Sequence, residues 1–476
     1  MVGTSESKRS DLRFQIKLPN RINDLIRIKC VIHSFITHFK EITTMKKGLL
    51  VIGLVLLSIN AQAQENEQKK FTVSGQYFTR TEFRNGQALL QSEDDKAAFQ
   101  TGQRMRLEFN YIEENLKLYG SVQDIRIWGS APQIKANDPF LSVHEAWAEY
   151  AVNPFVKLKV GRQELNYDNF RFLGNLDWAL QGRAHEIALL KYEKEALKVH
   201  VGYAYNVAGE STKSGIYPVT PQYKTAQMIH AEYVANTMKI VGLVWNNGMQ
   251  DLVAAQSLKD ETVYMTTIGL PEISWKKGSF KALTYAYYQF GTDQNQKKVS
   301  AFNISAEVSN TFAFEKDRSL IATAGFEILS GTDFDQDQNK NNTFNPLYGT
   351  NHRFNGFMDF FYVGGRNNRG AGLIDTYSLM RYYLKKNLFI SLNSHAFMSH
   401  ATLNGIDSFL GVEEDIALGW VVNKSFSIQA GYSQVFAADN LAKVQAVAKQ
   451  DGLQNWTYVM LIFRPQSAAK FIGLKW

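Results

Sequence analysis

The sequence predicts an all-β fold, namely a single closed antiparallel transmembrane β-barrel of about 18 strands, with short turns at one end and long loops at the other. Side chains alternate between apolar and polar along segments of about ten residues, and the connections between these segments alternate in length. In one segment Val156 and Val160 share a face while Lys157 and Lys159 share the other. A period of two with one apolar side is typical of a sheet that is wet on one face only.

The same alternation recurs along the chain after residue 70. In the second segment, for example, Met105, Leu107 and Phe109 alternate with charged and amide side chains. Eighteen strands are predicted, near 71–84, 99–112, 115–129, 142–152, 155–165, 184–194, 196–207, 224–236, 237–247, 260–270, 278–291, 297–310, 318–331, 371–384, 388–400, 410–422, 426–437 and 455–465.

The connections are a second, independent signal. Tight turns such as Glu113-Glu114, Asn153-Pro154 and Asn423-Lys424-Ser425 alternate with long loops. An even number of strands and this segregation of loop lengths are what an outer-membrane barrel requires, because closure removes every unpaired strand edge from the lipid. We therefore expect short periplasmic turns and long extracellular loops.

Residues 45–63 have the three regions of a secretory signal peptide. Met45 to Lys47 carries positive charge, residues 48–59 are apolar, and residues 61–63 supply the small side chains of a cleavage site. Cleavage after Ala63 sends the remaining chain out of the cytoplasm. This segment predicts export through a cleaved signal peptide, with the cell outer membrane as the destination.

The signal peptide divides the chain into three parts. Residues 1–44 are interpreted as an upstream mis-start, with a cytoplasmic extension as the alternative, and residues 64–476 as the barrel. Residues 1–63 hold ten of the 52 basic and four of the 45 acidic residues, which leaves 42 against 41. This balance gives no indication of a nucleic-acid partner. Because Cys30 is the only cysteine, the exported part has no disulfide framework.

Charged side chains recur on the face opposite the apolar one and in the loop that follows residue 163. The residues predicted to line the pore or bind substrate are Arg80, Arg104, Arg106, Asp124, Arg126, Glu145, Lys159, Arg162, Asp168, Arg171, Arg183 and Glu186. Asp124, Arg126 and Arg162 break the parity of their strands, which we interpret as β-bulges near the barrel rim. Guanidinium groups hold carboxylates bidentately, and rings of charge select ions. The alternative is that these groups pair and brace a water-filled wall.

Metal and catalytic sites are weakly indicated. Asp333, Asp335 and Asp337 begin like a calcium loop, but Gln338 stands where the turn glycine belongs and no closing glutamate follows. A solvated loop is therefore the preferred interpretation, and no metal or cofactor is predicted. No serine or histidine lies in a recognisable nucleophile motif, so we expect no enzyme. A lipid hydrolase embedded in the barrel stays open as an alternative.

Several motifs in order resemble the alginate export family of outer-membrane barrels, in the branch typical of Bacteroidetes. The first is Val160-Gly161-Arg162-Gln163-Glu164-Leu165, followed by Arg171, Gly174-Asn175, Asp177-Trp178 and Arg183. The others are Asp124-Ile125-Arg126-Ile127-Trp128 and the stretch from Phe344 to His352 with Phe354 to Asp359 after it. The resemblance covers about residues 70 to 465 and implies an eighteen-stranded barrel with an arginine-lined constriction for an anionic uronate polymer. By resemblance, Arg104, Arg126, Arg162 and Arg183 become the constriction candidates.

The expected function is a channel through which anionic solutes, such as uronate polymers or acidic oligosaccharides, cross passively. A general diffusion porin, a lipid hydrolase and a structural barrel plugged by its own 331–371 loop are the alternatives. The expected partners are outer-membrane lipid, the barrel-assembly machinery and an anionic saccharide or small anionic solute. The sequence leaves the oligomeric state open.

Overall fold

The computed structural model describes residues 70–134, 140–219, 222–362, 370–448, 450, 452–465, 467 and 470–474. The predicted signal peptide and the segment before it lie outside these residues. Within them, eighteen long strands form one sheet in which each strand pairs with its neighbours in an antiparallel manner. The first strand pairs with the second and also with the last, so the sheet closes into a barrel.

The strands of the wall are β1 Lys70–Asn85, β2 Ala98–Glu113, β3 Leu116–Ile127, β4 Leu141–Ala151, β5 Val156–Gln163, β6 His185–Lys194, β7 Leu197–Tyr205, β8 Thr225–Ala235, β9 Met238–Gln250, β10 Thr262–Lys277, β11 Phe280–Thr292, β12 Lys298–Ala313, β13 Ser319–Leu329, β15 Leu373–Lys385, β16 Leu388–Met398, β17 Phe409–Val421, β18 Phe426–Ala437 and β19 Gln454–Phe463. A further two-residue strand, β14 Lys340–Asn341, pairs in parallel with the start of β12 inside a loop.

The predicted closed antiparallel barrel and its count of eighteen strands are confirmed. The largest difference in a boundary is in β10, which continues seven residues past its predicted end at residue 270. Pro271 interrupts the alternation there, and the pairing shifts register between Leu270 and Ile273. Proline has no amide hydrogen to donate, and a bulge is one of the few places where a sheet accommodates it.

The connections differ in length between the two ends of the barrel. Eight connections at one end, here called the turn end, have two to five residues. The nine at the other end, the loop end, have five to 43 residues and include the helices α1 Leu252–Gln256 and α2 Asp439–Gln445. Among the described residues, no helix is long and apolar enough to cross a membrane.

The two faces of the wall have different chemistry. In β1, Phe78, Arg80 and Glu82 are buried, whereas Val73 and Phe83 on the opposite face are exposed. Buried side chains therefore point into the lumen, and exposed apolar side chains cover the outside. Most large exposed side chains of the strands are apolar, as expected for a wall that faces lipid.

Two loops enter the lumen from the loop end. The first inner loop, residues 164–184, joins β5 to β6, and the second inner loop, residues 342–362, lies between β13 and β15. Their large side chains, among them Phe172, Trp178, Phe344 and Phe360, are almost fully buried. Since the lumen of the barrel contains these loops, the main hydrophobic core of the protein lies inside the barrel.

We predict that Gly161 is needed for the pairing of β5 with β4. Its φ is +129°, and an added Cβ would lie 2.3 Å from the carbonyl oxygen of Ala146. Replacing Gly161 with Val should cost at least about 1–3 kcal/mol of unfolding free energy from backbone strain alone. Urea unfolding of the folded barrel in vesicles measures this change.

Gly120 in β3 is the matched control. A Cβ at Gly120 would meet its nearest neighbour, the carbonyl oxygen of Glu145, at 4.0 Å. Valine suits strands, so Gly120→Val should leave stability close to that of the native chain. Equal stability of the two variants would contradict the steric argument.

Candidate functional site

The first inner loop is held by arginines of the wall. The Arg80 guanidinium donates to the carbonyl oxygen of Trp178 at 2.7 Å and lies 4.1 Å from the centre of its ring. Arg104 donates to the carbonyl oxygen of Leu180 at 3.2 Å and to the carboxylate of Asp177 at 2.5 Å. Both guanidinium groups therefore satisfy loop groups, and little of either is free for a solute.

Asp177 joins two parts of the chain that are far apart in sequence. Its two carboxylate oxygens accept from Arg104 and, at 2.7 Å, from Arg464, the first residue after β19. Burial opposes ionisation of Asp177, but the charges of Arg104 and Arg464 outweigh it and hold the pKa of this carboxyl well below its ordinary range. Asp177 is therefore ionised at neutral pH.

Wall side chains also hold the second inner loop. The backbone amide of Met358 donates to Glu413 at 2.7 Å, and Gln289 pairs with both the amide and the carbonyl of Asn345, at 2.8 and 2.7 Å. Gly356 has a φ of +82°, and a Cβ there would lie 2.5 Å from the Glu413 carboxylate. Only glycine permits this close approach of backbone to carboxylate.

Arg171 connects the two inner loops to the wall. Its Nε lies 2.7 Å from Glu327 of β13, and its Nη2 donates to Asn355 of the second inner loop at 3.0 Å. Asn355 in turn donates to Glu327 at 2.9 Å and to Asp375 of β15 at 3.2 Å. The guanidinium of Arg171 is 1% exposed, so this predicted binding residue is a buried cross-link between loops and wall.

Arg183 has a similar role at the junction of the loops. It donates to the carbonyl oxygens of Gly174 at 3.3 Å and Gly349 at 2.9 Å. Directly beside it, the amide of Gly174 donates to the carbonyl of Tyr348 at 2.9 Å. Burial lowers the pKa of Arg183 to about 10, which still leaves it charged at neutral pH.

A cavity of about 470 Å³ lies on the turn side of the inner loops. It extends from the turn at residues 236–237 to residues 353–357 of the second inner loop and is lined by residues of β8 to β13, β15 and β16. Its lining has five basic and five acidic residues: Lys239, Lys276, Lys281, Arg353 and Arg381, and Asp168, Glu272, Glu307, Glu327 and Asp375. A second cavity, of about 380 Å³, lies beside β1 to β4 and the start of the C-terminal segment.

Unlike Arg171, Arg353 makes no ion pair with a described residue. Its guanidinium lies 4.8 Å from the ring centre of Phe170, and its Nε has no hydrogen-bond partner. Burial lowers the pKa of Arg353 to about 10, while the nearby Glu307 opposes this shift. Arg353 therefore places a positive charge in the wall of the 470 Å³ cavity.

Four other predicted residues also face the lumen. Arg106 donates to Gln123 at 2.8 Å, and Lys159 lies 3.8 Å from the ring centre of Trp147. Glu145 accepts from the amide of Glu164 at 2.9 Å. Asp168 of the first inner loop lies 2.9 Å from His230 and lines the 470 Å³ cavity.

Asp124, Arg126, Arg162 and Glu186 lie on the outer face of the wall, which is a correction to their predicted place in the pore. Buried Ser121 and Gln123 fix the inward parity of β3, so Asp124 and Arg126 point outward and pair with each other, with Nε to Oδ1 at 2.6 Å. The bulge that we expected in β3 does not lie in that strand. The extra residue lies in β4, where the pairing shifts.

The second outward pair is Arg162 with Glu186. Arg162 follows Val160, which is 46% exposed, on the same face of β5, and Glu186 is directly opposite in β6. No register shift occurs in the pairing of β5 with either neighbour. The strand therefore keeps its parity through Arg162 and directs this side chain away from the lumen.

The aspartates of the weak calcium motif do not form a site. Asp333 accepts from the amide of Thr402 at 2.7 Å, and Asp337 accepts from that of Asn339 at 3.0 Å. Among the described residues, His144, Glu145 and Glu164 are the group whose potential ligand atoms lie within 4.8 Å of one another. Arg106 lies 3.5 Å from Glu164 and brings positive charge to this group, which disfavours a cation.

The residues that sequence reasoning missed are those whose role depends on loop paths. They are Glu164, Asp177, Glu327, Arg353, Asp375 and Arg464. Asp177 lies within the Arg, Asp and Trp-rich stretch, which was a usable signal. Arg353 had no such signal, because only the folded second inner loop shows that it forms no ion pair with the acidic residues that the structure describes.

We predict that Arg171 contributes far more to stability than Arg162. Replacing Arg171 with Ala leaves Glu327, which is 2% exposed, without its cation, and breaking a buried pair in this way costs about 3–5 kcal/mol. The exposed pair of Arg162 with Glu186 is the control, for which about 0.2–1 kcal/mol is expected. Urea unfolding of both alanine variants measures the difference, and equal losses would exclude a cross-linking role for Arg171.

A pH dependence follows from the lowered pKa of Asp177. Since the folded-state pKa is below the unfolded one, the stabilisation is fully present above the unfolded value, about 3.9, and is lost as pH falls toward the folded value. The stability gap between the native chain and Asp177→Asn should therefore be constant near neutral pH and shrink below about pH 4. Asp94→Asn changes an exposed loop position and is the control. Its stability should equal that of the native chain over the same pH range. A gap that grows on acidification would contradict the assignment.

Comparisons with known proteins support the fold and do not identify a family. No family model matches the chain, and no curated protein sequence does.

Among solved structures, the chain is similar to Pseudomonas aeruginosa OpdQ, with a TM-score of 0.54, 9% identity and coverage of 83% of this chain and 97% of that one. It is also similar to P. aeruginosa OpdK with vanillate, with a TM-score of 0.52 and 10% identity over 82% of this chain and 98% of that one. A third similar structure is a BenF-like porin from Pseudomonas fluorescens Pf-5, with a TM-score of 0.53 and 10% identity over 83% and 98% of the two chains. At these identities the similarity establishes the architecture, an eighteen-stranded closed antiparallel barrel.

Proposed function

We propose that this protein is an outer-membrane channel through which small anionic solutes cross passively. The observation that carries the proposal is Arg353, which lies in the wall of a 470 Å³ luminal cavity and forms no ion pair within the described part of the chain. An eighteen-stranded wall is wide enough to leave an aqueous passage, and its outward apolar face fits lipid. The similar folds include a protein whose structure was determined with vanillate, an aromatic carboxylate.

The chemistry of the cavity favours a weakly held carboxylate. Arg353 supplies a bidentate donor, and Phe354 and Phe357 of the second inner loop supply apolar surface in the same lining. The five acids of the lining keep the cavity close to neutral, so no anion is held tightly. Weak binding suits a channel, because a solute must leave the site as readily as it enters.

The size of the cavity favours a single small solute over a polymer. A volume of about 470 Å³ is within the range of small-molecule pockets, about 300–1,000 Å³. The inner loops fill much of the lumen, which leaves less room for an extended chain. Transport of a uronate polymer, as in the alginate export family, is the narrower form of the proposal and rests on the sequence resemblance alone.

The alternatives differ in what they predict experimentally. A general diffusion porin would pass neutral sugars and sugar acids equally. A lipid hydrolase would release fatty acid from phospholipid, and we propose no such activity because the charged clusters of the described lumen have structural partners. In our proposal the barrel-assembly machinery and outer-membrane lipid are its partners in the cell.

The experiment that tests the proposal is single-channel current of residues 64–476 in a planar bilayer. A small carboxylate such as vanillate or galacturonate is added to one side, with a neutral sugar of the same size as the control. Current that the carboxylate blocks and the neutral sugar does not would support the proposal. Equal effects of both solutes would favour a general porin, and the absence of current would contradict a channel in this state.

We predict that Arg353→Gln weakens block by a carboxylate about tenfold to a hundredfold. Hydrogen bonds to charged groups contribute about 1.5–3 kcal/mol, and each 1.4 kcal/mol is a factor of ten in affinity. Arg162→Gln is the matched control, because it removes the same charge from the outer face. Concentration series of block for both variants give the measurement, and an unchanged constant for Arg353→Gln would remove Arg353 from the site.

A further inference from the structure

The chain returns into the lumen after its last strand. The amide of Ile472 donates to the side-chain oxygen of Gln429 at 3.0 Å, and the side-chain nitrogen of Gln429 donates back to the Ile472 carbonyl at 2.9 Å. Ser427 donates to the carbonyl oxygen of Lys470 at 2.5 Å. Gln429 and Ser427 belong to β18 and are 0% and 1% exposed, so residues 470–474, here called the tail, lie against the luminal face of the wall.

Apolar contacts add to these hydrogen bonds. Ile472 and Leu474 are 1% and 4% exposed, and the rings of Phe471 and Phe389 are 5.3 Å apart. Short segments after a last strand are normally exposed, because they have few contacts to hold them. The burial of this tail therefore indicates a specific docked position.

Gly473 is where the tail meets both inner loops. Its φ is +77°, and an added Cβ would lie 2.4 Å from Cε3 of Trp178 and 2.9 Å from Cδ2 of His352. Trp178 and His352 themselves stack with ring centres 3.7 Å apart. The inner loops fill part of the lumen from the loop end. The tail lies against them and continues this filling toward the turn end.

The tail is attached differently at its base and at its tip. At the base, Arg464 forms an ion pair with Asp177 at 2.7 Å. At the tip, residues 470–474 are held by hydrogen bonds to the neutral side chains of Gln429 and Ser427 and by apolar contacts. The ammonium of Lys470 adds a solvent-exposed hydrogen bond to the carbonyl oxygen of Lys424 at 2.7 Å. Since breaking a buried ion pair costs more than exchanging neutral hydrogen bonds with water, the tip separates from the wall more easily than the base.

We propose that the C-terminal tail is a displaceable plug, which narrows the pore when it is docked and widens it when it leaves the luminal wall. This inference rests on the proposed channel function. The tail enters from the turn end, so its displacement opens the lumen on that side and leaves the inner loops in place. The docked tail holds the channel in its low-conductance state.

The test combines thiol accessibility with single-channel current. Because Cys30 lies in the leader, Ile472→Cys gives residues 64–476 a single cysteine at a position that is 1% exposed. A hydrophilic maleimide should react slowly with this cysteine in the folded barrel. Adding Gly473→Leu, which clashes with Trp178 and His352, should raise the reaction rate about tenfold or more and increase single-channel conductance.

Gly405→Leu is the matched control for Gly473→Leu. Gly405 also has a positive φ, +66°, but a Cβ there would meet no atom within 4 Å. This variant should change neither labelling nor conductance. Gln429→Ala, which removes both hydrogen bonds to Ile472 without altering the tail, should act in the same direction as Gly473→Leu.

Each remaining outcome decides against the proposal. Rapid labelling of the cysteine without a second substitution would mean that the tail is not docked. Exposure of the cysteine by Gly473→Leu with unchanged conductance would mean that the tail does not narrow the pore. Failure of the plug is distinct from failure of the channel, because a chain that carries no current in any variant contradicts the proposed function itself.

Discussion

Loops that enter a barrel bring backbone groups away from bulk water, and each such group needs a hydrogen-bond partner. In this protein the luminal side chains of the wall supply those partners. Arg80 and Arg104 donate hydrogen bonds to carbonyl oxygens of the first inner loop. Glu413 accepts a hydrogen bond from a backbone amide of the second inner loop. Much of the charge inside the barrel therefore maintains the loops, and the inner architecture depends on this exchange between wall side chains and loop backbone.

Because many luminal charges hold the inner loops, few charges are left to act on a solute. Arg171 faces Glu327, and Arg104 faces Asp177, so these arginines present little net field to the lumen. Arg353 lies outside these pairs. In the proposed channel, a lumen in which most charge is paired would hold anions weakly, which is compatible with rapid passage. Any preference for anions would then come from few positions.

The strands and their count were predictable because apolar and polar residues alternate along the sequence of a half-buried strand. The same rule, applied without exception, would have placed Arg162 and Arg126 outside the barrel, since β3 and β5 keep their parity through these residues. The paths of the inner loops were not predictable in this way. Contacts such as Arg171 with Asn351 and Asn355 join positions that are 180 and 184 residues apart, and no local pattern records such a pairing.

An eighteen-stranded wall by itself leaves an aqueous channel, so the narrowness of this pore comes from what lies inside it. The inner loops are held by buried ion pairs, which are costly to break once one partner is lost. The tip of the tail is held by hydrogen bonds to neutral groups of the wall, one of them a solvent-exposed bond from the Lys470 ammonium, and by a few apolar side chains. Water and detergent can replace these contacts at lower cost. Among the described segments inside the lumen, the tail is therefore the one that we propose to move while the barrel and its loops stay intact.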